Sequence, residues 1–250
     1  MLKVELHIHT SDDPADPIPY STFDLIDRAA ELEYDALAIT LHDKQLDLAA
    51  FSDYAAARSI VLIPGIERTI DGRHVLLLNF SSAAESVNSF DDLARLKASE
   101  PGIVIAPHPF FPAGSALRGY MNRYAHLFDA VEWNAMFTPL INFNAIARRW
   151  ARRHSKPMVG NGDVHRLEML GNTYSLVDAE PNAAAICEAV AAGRVRVVAR
   201  PLSMLGATRL MAELYAGNFI PRRHPGSDPA TAHHRGQTPV TSRLKVAGQL

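Results

Sequence analysis

Short apolar runs alternate along this chain with stretches of helical spacing, and that alternation lays out its elements. The first run, Lys3 to Thr10 (K-V-E-L-H-I-H-T), alternates as a strand does, so His7 and His9 project to one side at its end. Asp12 to Pro19 is a loop rich in Asp and Pro, and Ser21 or Thr22 caps a helix that runs to Leu32. Ala36 to Thr40 reads as a buried strand ending in L-H-D. A helix over Leu46 to Arg58 leads to a strand from Ile60 to Ile63, then P-G-I-E, a turn at Asp71-Gly72 and a strand from His74 to Phe80. In the second half a helix over Phe90 to Ser99 precedes the strand Ile103 to Ala106, which runs into P-H-P. A helical segment with Gly and Arg follows, then the strand Ala130 to Trp133, the helix Ile141 to His154 and the strand Pro157 to Gly160, with N-G-D-V-H after it. The strand Thr173 to Val177, the helix Asn182 to Ala192, the strand Val195 to Val198 and a helix over Ser203 to Ala216 complete the pattern.

Strands alternating with helices predict a mostly parallel sheet, and so many repeats predict one α/β domain closed into a barrel over residues 1–220. A chain of 250 residues, 48% of them hydrophobic, can bury a core for such a domain. From Pro221 the apolar periodicity stops, and residues 221–250 are expected to be a disordered tail. The net charge of -2 gives no broad attraction to nucleic acid or anionic membrane. Cys187 is the only cysteine, which excludes a disulfide framework, and its alanine-rich helical surroundings predict burial. No apolar run is long enough to span a bilayer and no charged leader opens the sequence, so a cytoplasmic protein without membrane contact is expected.

The titratable residues fall at one kind of position on this scaffold. His7 and His9 end the first strand, His42 and Asp43 follow the second, Glu67 the third, His108 a later one, and Asp163 with His165 another. Barrels of this construction assemble their sites at the carboxyl ends of the strands. Six of the eleven histidines (His7, His9, His42, His74, His108, His165) lie at a strand end or start. Imidazoles mixed with carboxylates, without thiolates, suit zinc, iron or manganese. The ligands exceed what one ion needs, so two or three divalent ions are expected, with Glu67 placed to bridge. Clustered metals lower the pKa of bound water and neutralise charge on a phosphoryl group, which predicts hydrolysis of a phosphate ester by a metal-bridging hydroxide. Catalysis is expected to fall to His42, Glu67, Asp163 and His165.

H-I-H-T, I-T-L-H-D, P-G-I-E, A-P-H-P and G-D-V-H, in this order, resemble the motifs of the polymerase and histidinol phosphatase (PHP) superfamily over roughly Leu2 to Val198. The resemblance implies a distorted TIM-like barrel of about seven β/α units with a trinuclear site. Carried over residue by residue, it implies one ion on His7, His9, Glu67 and Asp163, and a second on Glu67, His74 and His108. A third would take His42, His165 and an aspartate of the first loop, where Asp12, Asp13 and Asp16 compete and Asp12 or Asp13 is preferred. Leu41 stands where the family often has an acidic residue beside the histidine.

Among other candidates, Glu132 and Asn134 end a strand and border the expected pocket, as supporting residues. Arg118 and Arg123, with Arg68, are candidate phosphate clamps, each with a solvated surface role as the alternative. Phe110 and Phe111 read as core more than as a stacking wall, and His126 and His154 as incidental. The expected substrate is a small phosphomonoester or phosphodiester, a nucleotide, short oligonucleotide or phosphorylated metabolite among them. The rivals are an amidohydrolase-type hydrolase, a nuclease and a PHP-like module without catalysis. No pattern in the sequence bears on oligomeric state.

Overall fold

The computed structural model describes residues 1–217; the expected tail lies outside the described residues. Its strands are β1 (Leu2–Ile8), β2 (Ala36–Ile39), β3 (Val61–Ile70), β4 (Arg73–Leu78), β5 (Ile103–Ala106), β6 (Ala130–Asn134), β7 (Met158–Asn161), β8 (Thr173–Val177) and β9 (Val195–Ala199). They form one nearly closed sheet in the order β7-β6-β5-β4-β3-β2-β1-β8-β9. Beyond β7 the chain returns to β1, where Val164 bridges Ile8 through His9 N–H to Val164 O and Val164 N–H to His7 O, both 3.1 Å, and β7 packs against β8 and β9. The expected α/β barrel is therefore present.

Its units are less regular than seven repeats. β4 is antiparallel to β3 and β5, and β8 is antiparallel to β1 and β9. The cause of the first reversal is local. β3 continues through P-G-I-E instead of stopping at Ile63, and the turn at Asp71-Gly72, with φ of 50° and 72°, folds it straight back. Because β4 runs downward, its first residues, including His74, lie at the carboxyl ends of the neighbouring strands.

The helices are α1 (Thr22–Glu31), α2 (Ser52–Ala56), α3 (Phe90–Ser99), α4 (Tyr120–Arg123), α5 (Asn144–Arg153), α6 (Ala183–Ala191) and α7 (Met204–Gly217). Ser21 with Asp24 and Ser89 with Asp92 form capping boxes at α1 and α3. α1 buries Thr22, Leu25, Ile26 and Ala29, a spacing that turns one stripe to the sheet. α6 contacts β3, β5 and β8, strands well apart in the sheet, and its Ile186, Cys187, Ala189 and Val190 share a core with Val4, Ala36, Ile63 and Ile103. It thereby closes the amino end of the barrel. Burial pushes the Cys187 thiol up to about 12, with the Asp129 charge adding to it, so the cysteine is inert packing.

Two expected helices are shorter. Leu46 to Arg58 divides into a 3-10 turn, Leu48–Ala50, capped by Asp47, and α2. Between β5 and β6 only α4 is helical, because Pro109, Pro112 and Gly114 keep the preceding stretch irregular. That stretch becomes a wall of the site. Among the described residues, no helix is long and apolar enough to cross a membrane.

Candidate metal centre

β1 to β5 and β7 bring candidate ligands to the carboxyl end of the barrel. His7 and His9, fully buried, come from β1 and the residue after it; Glu67 comes from β3, His74 from β4, His108 from beyond β5, and Asp163 and His165 from beyond β7. His42 lies past β2 and pairs in a parallel bridge with Glu67, its loop held by Asp43 N–H to Glu67 O at 2.9 Å. Gly162 makes the approach of Asp163 possible, since a Cβ there would meet Val164 at 2.4 Å. His108 and Asp163 have φ of 28° and 49°, conformations that cost free energy for residues with side chains and that gather at functional sites.

Glu67 is the hub. Its Oε2 lies 3.2 Å from His7 Nε2, 3.3 Å from His9 Nε2 and 3.2 Å from His42 Nε2, while Oε1 lies 2.8 Å from His74 Nδ1 and 3.2 Å from His108 Nε2. Asp163 Oδ1 faces His7 Nε2, His9 Nε2 and His165 Nδ1 at 3.4, 3.6 and 3.4 Å. These groups form overlapping triads: His7 with His108 and Asp163, His7 with His9 and Glu67, His9 with Asp13 and His42, His9 with Asp163 and His165, and His42 with Glu67 and His74. Within each triad the ligand atoms lie within 4.8 Å of one another.

The buried Nε2 atoms of His7 and His9 and the Nδ1 of His74 have carboxylate oxygens near them and yet form no hydrogen bond. Buried polar atoms are ordinarily paired. Nitrogens and oxygens that converge without bonding to each other fit a shared cation, and the donor set, imidazole and carboxylate alone, suits a borderline divalent ion. The electrostatics agree. Burial disfavours charge on His9, but the Asp13 carboxylate bonded to Nδ1 and the Asp163 and Glu67 carboxylates facing Nε2 outweigh it and raise its pKa to about 10. His7 is likewise driven well above its ordinary value, against burial, by Asp163, Glu67 and Glu132. Burial opposes ionisation of Glu67 and Asp163 too, yet the facing imidazoles, His7 first, hold both well below the usual carboxylate range. The carboxylates thus demand positive charge, which bound cations would also meet.

The first loop divides its aspartates. Asp12 Oδ2 accepts from Thr10 and Thr22 hydroxyls at 3.3 and 3.0 Å and takes no part in the triads. Asp13 Oδ2 accepts from His9 Nδ1 at 2.8 Å and from His42 Nδ1 at 3.1 Å, orienting both rings, and from the His42 backbone N–H at 3.0 Å. Asp16 Oδ2 faces the cavity, 3.2 Å from His165 Nε2 and 3.9 Å from His42 Nδ1. Asp13 joins the triad of His9 and His42, Asp16 faces His165 and the cavity, and Asp12 faces the threonines.

Glu132 carries more weight than its sequence context suggested. Fully buried on β6, it accepts from His7 Nδ1 at 2.8 Å, Asn161 Nδ2 at 3.1 Å, His108 N–H at 2.6 Å and Asn134 Nδ2 at 3.2 Å. It fixes the His7 tautomer that points Nε2 at the cluster. Asn134 also donates to Asp163 Oδ2 at 3.2 Å. Glu5, beneath the centre, accepts from Gly162 N–H at 2.9 Å and went unnoticed because it reads as one polar residue in a strand. The arginines stand apart: Arg118 donates to Phe111 O at 3.3 Å, Arg123 lies over the Tyr124 ring, and Arg68 pairs with Asp43. His154 stacks on Trp150 in α5, remote from the centre.

A cavity of about 540 Å³ opens over Asp16, His42, Glu67, His74, His108, Asp163 and His165. A barrel with clustered imidazoles and carboxylates at its strand ends, beneath such a cavity, is an arrangement that can hold divalent ions and support metal-assisted hydrolysis. The PHP-associated family model matches residues 142–195. A two-domain protein from Bacteroides vulgatus containing a PHP-like metal-dependent phosphoesterase is similar over 85% of this chain and 69% of its own, at 18% identity and a TM-score of 0.64. The lesion-specific endonuclease PfuEndoQ from Pyrococcus furiosus matches 84% of this chain and 66% of its own, at 12% identity and a TM-score of 0.53. An amidohydrolase from Chromobacterium violaceum, with bound sulfate and no metal, matches 86% and 96%, at 16% identity and a TM-score of 0.50. At such identities the likeness is one of fold. No curated protein matches the chain. The family model covers residues 142–195 alone, and what the chain shares with the solved structures is the fold.

Proposed function

We propose that the protein is a metal-dependent phosphoesterase. The observation that carries the reading is Glu67, whose two oxygens face two separate sets of imidazoles, as a carboxylate bridging two ions would. His7, His9 and Asp163 would hold one ion with it, His74 and His108 a second, and Asp16, His42 and His165 a third. Bound divalent ions would supply Lewis-acid polarisation of a phosphoryl oxygen, activation of water and neutralisation of the negative charge that builds in the transition state. The chain's own contribution is position. Glu132 and Asp13 hold the His7, His9 and His42 rings, Asn134 holds Asp163, and the cavity lies over the ligands.

The test is elemental analysis of the purified protein, then a phosphomonoester and phosphodiester screen with that metal restored. Glu67→Ala is expected to lose bound metal and to lower turnover on the order of a thousandfold or more, since metal charge stabilisation is worth several kcal/mol. Its circular dichroism should remain that of the parent. Full activity in this variant, or no metal-stimulated ester hydrolysis in the parent, would remove the reading.

A further inference from the structure

The cavity has two unlike parts. Its floor is the ligand set, whereas its walls are Phe111 from the loop after β5, Met136, Phe137, Ile141 and Phe143 from the loop between β6 and α5, and Leu202 from the segment before α7. The apolar wall starts at the metal centre itself, with the Phe111 ring 6.4 Å from that of His108, and Phe143 continues it 5.5 Å further on. It is built in place. Asn134 Oδ1 accepts from Met136 N–H at 2.8 Å, Thr138 and Ile141 bond to each other, and Leu202 N–H donates to Phe137 O at 2.8 Å.

Among the described residues lining the cavity there is no lysine or arginine. Two cations next to its walls are committed to the chain: Arg73 donates to the carbonyls of Gly114 and Ala116, and Arg118 to that of Phe111. Within the described lining, a phosphoryl group would therefore meet positive charge only at the floor. A second phosphate, or the next phosphate of a polynucleotide, would lie against phenylalanine and leucine, and burying a charge without a partner is costly. An apolar alcohol fits the same wall, and the cavity is of the size that takes a small ligand.

Resting on the phosphoesterase reading, we infer that this site selects phosphate monoesters of compact apolar or aromatic alcohols and discriminates against substrates with a second phosphate, nucleic acid included. Among described residues, Phe111, Phe137 and Phe143 are the specificity determinants.

The metal-restored enzyme is assayed on ethyl, butyl and hexyl phosphate, whose leaving groups are nearly equal in intrinsic reactivity. The comparison set is hexane-1,6-diol bisphosphate, glycerol phosphate and a short oligonucleotide duplex. The expected result is a rise in kcat/KM of about threefold to fourfold per added methylene, carried mainly by KM, with the bisphosphate at least about tenfold below hexyl phosphate. Phe143→Ser should flatten the slope and Phe143→Leu should keep it, with circular dichroism and metal content checking that both fold. Calorimetry with hexyl- and methylphosphonate should show the same order in binding. A flat or inverted series, or preference for the bisphosphate or duplex, overturns the inference while leaving a phosphoesterase. If no phosphate ester turns over, the phosphoesterase reading fails and the inference with it.

Discussion

The floor and the walls of the cavity are built by different means. On the floor, four histidines and the carboxylates of Glu67 and Asp163 come from strand ends fixed by the sheet, Asp16 is added by the loop after β1, and His7 and His9 are buried beneath them. The walls come from irregular loops whose side chains are mostly apolar and whose backbones are pinned by hydrogen bonds along the chain. Strand ends place charged groups to a fraction of an ångström, which a shared cation requires; loops shape a volume, which a leaving group requires. The difference assigns the reaction to the floor and the choice of substrate to the walls.

Disturbing the support of the floor should have the largest effect. Glu132 takes four donors, two on each oxygen, and an amide in its place would turn an NH2 group against two of them. Glu132→Gln is expected to weaken metal affinity about 10- to 100-fold, the usual consequence of removing a histidine's carboxylate partner. Competition with a chromophoric chelator measures it. A role confined to packing would lower the melting temperature and leave the affinity unchanged.

The second effect concerns charge. In protein stripped of metal, His9 has a folded pKa of about 10 against an ordinary 6.5, so its contribution to stability is complete below 6.5 and is lost as pH rises through 10. Glu67 and Asp163 are depressed from 4.5 and 3.8, so their contributions are present above those values and lost as pH falls. Glu5 is pushed up by burial, which adds to the loss on the alkaline side. Stability of stripped protein should therefore peak toward the lower end of the range between 4.5 and 6.5. Ions that replace the protons remove the alkaline loss, so the loaded protein should gain on the stripped one as pH rises. Between pH 6 and 9 the gap in Tm should widen on the order of 5 °C, since 1 kcal/mol moves Tm by about 2–4 °C in a chain of this size. A gap that narrows with pH would mean that the imidazoles are not the ligands.

The same division explains what could be read from the sequence. The barrel was legible because strand-length apolar runs recur between helical patterns, and the floor because histidines and acids stand at the ends of those runs. The reversal of β4 was not, since strand direction depends on a two-residue turn and leaves the apolar pattern unchanged. Asp12, Asp13 and Asp16 compete in sequence, with Asp12 or Asp13 preferred; two threonine hydroxyls, Thr10 and Thr22, draw Asp12 to themselves. Phe111 reads as core in sequence, and lines the cavity because Pro109, Pro112 and Gly114 prevent the helix that would have buried it.

The smallest expected effect separates floor from wall most directly. Arg118 and Arg123 have the right chemistry to clamp a phosphate, and a bidentate clamp makes two charge-assisted hydrogen bonds at about 1.5–3 kcal/mol each. Losing one would lower kcat/KM more than about a hundredfold. In the structure Arg118 is exposed and spends its guanidinium on the Phe111 carbonyl, Arg123 lies 5.1 Å over the Tyr124 ring, and neither lines the cavity. Surface contacts of this kind contribute about 0–1 kcal/mol. Arg118→Ala and Arg123→Ala should therefore leave kcat/KM on a simple phosphate monoester within about fivefold of the parent. A hundredfold loss in either, with metal content unchanged, would put a cation over the floor and place part of phosphate recognition in the walls.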